Sequence, residues 1–191
     1  MIFNKLSTSI DVDGKSYPIK TDFREWIAFE KVIRKQIDVE EKIPQIIMQI
    51  VCIMDGNIPE DIRQTITKLI DFYSCGEKPI KAKSSGESQG NTFDYEFDSG
   101  YLYSAFLSQY GIDLQDIEYL HWHKFRALFK ALTECKLTEI IGYRAMKIDP
   151  KLPRSQKDFY NEMKRAYAIP TDENLLEIVK RQREEYNKAN H

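Results

Sequence analysis

The sequence predicts a mainly α protein, a helical bundle-like assembly of about six to eight helices with a short N-terminal β-hairpin. Three observations carry this. Apolar residues recur at three- and four-residue spacing through most of the chain, clear alternation is confined to two short stretches, and turn residues mostly fall between the periodic segments. With 191 residues, 42% of them apolar and 12% aromatic, the chain carries enough side chain to build a core.

The hairpin is predicted over 9–20. Ile10 and Val12 alternate with polar residues, Asp13-Gly14 is a strong two-residue turn signal, and Tyr17 and Ile19 resume the alternation. A first helix follows, with Asp22 and Glu25 as a cap pair and Phe23, Trp26, Ile27, Ile33 and Ile37 at helical spacing to about residue 36. The second has Pro44 near its first turn and a wide apolar stripe of Ile43, Ile46, Ile47, Ile50, Val51 and Met54 at helical spacing. Asp55-Gly56-Asn57 stops it. The third starts near Pro59, presents Ile62, Ile66, Leu69, Ile70 and Tyr73, and ends at Gly76.

Residues 77–92 lack apolar periodicity and contain Ser84-Ser85-Gly86 and Gln89-Gly90-Asn91, which reads as a flexible linker. This boundary separates a first unit at 1–76 from a C-terminal helical unit at 93–191, able to pack together as one domain. Phe93-Asp94-Tyr95-Glu96-Phe97 alternates ring and acid, which predicts a short strand with three rings on one face. A helix from about Gly100 ends at Gly111. The next carries Trp122, Phe125, Leu128, Phe129 and Leu132 opposite Lys124, Arg126 and Lys130. Thr138 and Glu139 open a short helix over Ile140, Ile141 and Tyr143, and Ser155 with Asp158 starts another bearing Phe159, Met163 and Tyr167. A last one follows Pro170-Thr171 and carries Leu175, Leu176, Val179 and Tyr186.

The formal net charge is only −2, but it conceals a separation. From 84 to 123, 40 residues contain no Lys or Arg, seven acids and nine aromatics; from 124 onward there are fifteen Lys or Arg against ten acids. A balanced chain of this kind argues against a nucleic-acid partner, which selects a basic face. Apolar runs fall well short of the roughly 18 residues a membrane span needs. No signal sequence is evident, so the expected location is the cytoplasm. Cys52, Cys75 and Cys135 are odd in number and read as reduced packing residues.

No catalytic or cofactor constellation accompanies the charge separation, and the expectation is a protein that is not an enzyme. His121 and His123 flank Trp122 at a helix start, where residues two apart point in different directions, so they read as structural rather than metal-binding. Asp94 with Glu96, and Asp113 with Asp116, read as solvated caps rather than an acid–base pair. The aromatic block divides between core and partner surface: Phe97, Phe106, Trp122, Phe125 and Phe129 are assigned to the core, and Tyr95, Tyr101, Tyr103 and Tyr110 to partner binding.

The chain carries Phe-x-x-Gln-Tyr-Gly-Ile-Asp-Leu at 106–114, Leu-His-Trp at 120–122, Lys-Phe-x-Ala-Leu-x-x-x-Leu at 124–132, Ile-Ile-Gly-Tyr-Arg at 140–144 and Asp-Phe-Arg-Glu-Trp at 22–26. In these segments it resembles the phage gene-product-fifteen family of tailed phages and prophages of Gram-positive bacteria. The resemblance implies a tail-gene-cluster protein acting as a tail assembly chaperone. Its implied partners are the tape-measure protein and the major tail protein, with possible self-association, no cofactor and absence from the mature virion. Alternatives are a minor structural tail protein retained in the virion and a nucleic-acid-binding phage regulator. The resemblance carries over no catalytic or metal residue.

Overall fold

The computed structural model describes residues 5–35, 37–77 and 91–170. Among the described residues there are seven helices and one two-stranded antiparallel sheet, so the protein is mainly α with an N-terminal hairpin. The chain forms two compact units, Met1–Ser85 with Phe106–Leu132, and Gly86–Ala105 with Thr133–His191. The sequence boundary at 77–92 leaves 106–132 with the second half. By contacts that segment groups with the first, because its aromatic residues complete the first unit's core.

In unit 1, β1 (Ser9–Val12) pairs with β2 (Lys15–Pro18), with Ser9 opposite Pro18 and Val12 opposite Lys15. Asp13 and Gly14 both have positive φ, 50° and 74°, the mirror-image turn that matches the twist of a tight hairpin. Ile10 and Val12 are buried from one face. Helix α1 (Phe23–Arg34) begins at Asp22, whose carboxylate accepts the Arg24 amide at 3.0 Å, and buries Phe23, Trp26, Phe29 and Glu30. Helix α2 (Val39–Ile53) starts well before Pro44, which lies inside it rather than in its first turn. The Lys42 amide already reaches the Asp38 carbonyl at 3.0 Å, so the helix is nucleated before the proline removes a donor. Of its apolar stripe only Ile50 and the C-cap Met54 are buried, joined by Ile53 beside them.

Helix α3 (Ile62–Tyr73) is capped by Asp61, which accepts the Gln64 amide at 2.8 Å. The Gln64 side chain then clasps the hairpin turn, accepting from the Asp13 amide at 2.7 Å and donating to its carboxylate at 3.2 Å. Helix α4 (Ser99–Tyr110) stops at Gly111, whose φ of 64° closes the end by donating to the Leu107 carbonyl. Helix α5 (Trp122–Ala131) supplies Trp122 and Phe125 to the core. Both are fully buried with Trp26 and Phe106, and the rings stack in sequence, Trp26 to Trp122 at 6.4 Å, Trp122 to Phe125 at 5.8 Å and Phe125 to Phe106 at 5.2 Å.

Unit 2 holds the first part of α4, then α6 (Lys136–Ala145) and α7 (Arg154–Ala166). Leu137 and Ile140 of α6 are buried, whereas α7 has no buried residue. Four expectations change here and in unit 1. Residues 93–97 are not a strand: 95–98 form a turn, because the Asp94 carboxylate accepts the amides of Glu96 and Phe97, each at 2.8 Å, and bends the backbone. Phe97 is consequently 46% exposed instead of core, with the Arg144 guanidinium over its ring at 5.7 Å. Ser155 lies inside α7, whose N-cap is Pro153. Cys52 is exposed on α2 rather than packed. The predicted last helix from Thr171 and most of the 77–92 linker lie outside the described residues.

Candidate partner-binding surface

The Leu-His-Trp segment at 120–122 is a structural junction. The Phe23 amide donates to the Leu120 carbonyl at 2.9 Å, the Trp122 amide to the Thr21 carbonyl at 2.7 Å, and the Leu120 amide to the Asp22 carboxylate at 3.1 Å. Asp22 thereby serves α1 and this junction together. Arg24 closes the other side by donating to the Ile117 carbonyl at 2.6 Å. The conjunction explains why Asp-Phe-Arg-Glu-Trp and Leu-His-Trp occur in one chain: each segment completes the hydrogen bonds of the other.

His121 caps α5, its Nδ1 accepting the His123 amide at 3.0 Å. With Nδ1 an acceptor, Nε2 donates to the Ser7 carbonyl at 2.9 Å, so both ring nitrogens are engaged. His121→Ala should therefore cost about 0.5–2 kcal/mol, read from a urea midpoint. His123 lies against the Phe72 ring with Nε2 2.8 Å from the Phe72 carbonyl. Burial holds its pKa below the ordinary 6.5, outweighing that carbonyl, while His121 adds to the lowering. A base depressed on folding binds fewer protons folded than unfolded, so its contribution is complete above about pH 6.5 and declines as pH falls below that. Urea midpoints at pH 7.5 and 5.5 should differ, and His123→Gln should shrink the difference.

Two further charged groups are buried. Glu30 on α1 receives Arg34 Nε at 2.7 Å, and its second carboxylate oxygen has no hydrogen-bond partner. Burial first, then the nearby Glu30 charge, pushes the Tyr73 hydroxyl well above its ordinary range. In unit 2, Arg144 grips Asp98 with two parallel bonds of 2.7 and 2.9 Å, and also donates to the Tyr167 carbonyl at 2.6 Å and the Thr92 carbonyl at 3.1 Å. These are framework contacts. Asp94 and Asp113 likewise spend carboxylate oxygens on amides two and three residues ahead, as caps do.

The four tyrosines assigned to partner binding are all part-buried. Tyr95 packs edge-on to Phe93 at 4.8 Å, and Tyr101 and Tyr103 lie on α4; these three belong to unit 2. Tyr110 belongs to unit 1, where its hydroxyl donates to the Leu128 carbonyl at 2.9 Å.

A different surface is the more open one. Along α2, Val39, Ile43, Ile47 and Val51 follow one another at four-residue intervals with Met48 beside them, and all five are exposed; Met48 is 63% exposed and Ile47 48%. A four-residue repeat places the row along one side of the helix. Asp38, Glu40 and Glu41 are exposed at its amino end. Periodicity revealed the stripe but not which part would stay open, since Ile50 and Met54 turn inward while Ile47 and Val51 do not. No helix among the described residues is long and apolar enough to cross a membrane.

Residues 2–169 match the family model described as Bacteriophage Gp15 protein. No curated protein and no solved structure matches the chain. The matched span contains every junction described above, from the hairpin to the Arg144 clamp, and the chain belongs to the bacteriophage Gp15 protein family.

Proposed function

We propose that the protein is a non-enzymatic phage tail assembly chaperone. It binds the tape-measure protein and tail-tube subunits in the cytoplasm of the host cell during tail morphogenesis, and is absent from the mature virion. The observation that carries the reading is the exposed apolar row on α2, within a member of a phage family. An exposed apolar stripe of this kind costs a monomer solubility and marks a surface kept for a partner. Binding followed by release requires contacts that are modest and replaceable, which one helix face supplies.

The test pairs two measurements. Co-expression with the tape-measure protein encoded in the same phage should give a complex that survives affinity purification. Mass spectrometry of purified virions should then detect the tape-measure protein without this chain. Stoichiometric presence in virions would make it a structural tail protein and overturn the proposal.

A further inference from the structure

We infer that the outer face of α2 is the docking site for an amphipathic client helix, one with an apolar row at four-residue spacing and Lys or Arg beyond one end of that row. The inference rests on the chaperone reading and names its contact surface.

The row Ile43, Ile47, Val51 covers about two turns and extends to Val39. Such a ridge accepts another helix laid along it, side chains of one entering the spaces of the other. The charge pattern adds a direction. Asp38, Glu40 and Glu41 crowd the amino end with only Lys42 among them, and neither Glu40 nor Glu41 has an ion-pair partner among the described residues. The remainder of α2, to Ile53, carries no charged residue. A basic end on the incoming helix would meet the acids, while its apolar row meets the isoleucines.

Size and charge both argue against a second copy paired through the same face. Partly exposed aliphatic side chains of this number offer on the order of 300–600 Å², below the roughly 800 Å² per partner of a standard stable interface. Parallel self-pairing would set Glu40 and Glu41 against their counterparts. Antiparallel pairing would bring them to the carboxyl end of α2, where Asp55 is matched by Lys20 at 3.3 Å and no net positive charge remains.

The test uses the full chain with the full-length tape-measure protein from the same phage as probe, measuring affinity by pull-down titration. Ile47→Glu should keep native circular dichroism, because the side chain is already half exposed, and weaken binding about tenfold or more. Glu40→Lys with Glu41→Lys keeps the apolar row and should weaken binding several-fold while flattening its salt dependence. Native affinity in both variants overturns the docking site while leaving the chaperone reading intact. Failure of the wild-type chain to bind the probe overturns that reading first. Sedimentation supplies the third arm: a wild-type dimer that Ile47→Glu converts to monomer, with tape-measure binding unchanged, assigns the face to self-association and overturns the inference.

Discussion

Asp98→Ala should cost about 3–5 kcal/mol, the largest effect expected of any single polar substitution in this protein. Asp98 is fully buried and the Arg144 side chain is 5% exposed, so truncation leaves a guanidinium in the interior without its counter-charge. The loss spreads further. Asp98 also accepts the Asp94 amide at 3.0 Å, so the turn loses that side-chain bond and keeps only the backbone one from the Asp98 amide to the Asp94 carbonyl at 2.9 Å. Chemical denaturation followed by circular dichroism, with hydrogen exchange of α6 amides, should show unit 2 weakened first. Asp98→Asn should remain strongly destabilising because it preserves shape and removes charge. Replacing both partners, Asp98→Leu with Arg144→Met, should not restore stability, since the carbonyls of Thr92 and Tyr167 and the Asp94 amide would each lose a partner at about 1–3 kcal/mol where buried. A cost under about 1 kcal/mol for Asp98→Ala would show that water replaces the clamp.

Trp122→Ala should destabilise unit 1 by a comparable amount, about 3–5 kcal/mol, which for a chain of this size lowers Tm on the order of 10 °C. The indole is fully buried, stacks on Tyr73 at 5.6 Å and Phe125 at 5.8 Å, and donates Nε1–H to the Tyr73 carbonyl at 2.9 Å. That carbonyl ends α3 and has no partner within the helix, so the indole both fills volume and closes a helix terminus. Trp122→Phe separates the two roles. It retains an aromatic ring and should cost about 1–3 kcal/mol, mainly because the Tyr73 carbonyl keeps only the weak Cys75 thiol donor at 3.7 Å. Thermal unfolding checks the pair; equal destabilisation by Ala and Phe would assign the whole effect to the hydrogen bond and sink the packing argument.

Much of the helical architecture was readable because its signals are local. Asp22, Asp13-Gly14 and Gly111 each act on amides or backbone angles within a few residues, and each appears where composition and periodicity require. The aromatic pattern of α5 predicted most of its buried face, with Trp122 and Phe125 fully inside, whereas Phe129, also assigned to the core, is only half-buried. The strand expected at 93–97 failed for an equally local reason that alternation hides: the carboxylate of Asp94 competes for the amides a ladder would use.

The candidate surface was less legible. Periodicity marks α2 as amphipathic, but a stripe wider than its neighbour leaves part of itself outside, and width alone does not say which part. The tyrosines chosen for their acidic surroundings are part-buried, and Asp98, one of those acids, lies at the centre of an ion pair with Arg144. Arg144 closes the Ile-Ile-Gly-Tyr-Arg segment. That was the one hint that the acid-rich stretch had an internal cation to meet.

By itself, then, the sequence determined most of the helices, the hairpin turn, the Asp22 cap of α1 and the phage family, since these depend on neighbouring residues and on motifs read in order. Tertiary structure decided which apolar row of α2 stays exposed, that residues 106–132 join the first unit, and that Asp98 faces Arg144 instead of solvent. The physical reason is common to all three: burial and charge pairing are properties of residues far apart in the chain, and a side chain's surroundings exist only once those residues have met.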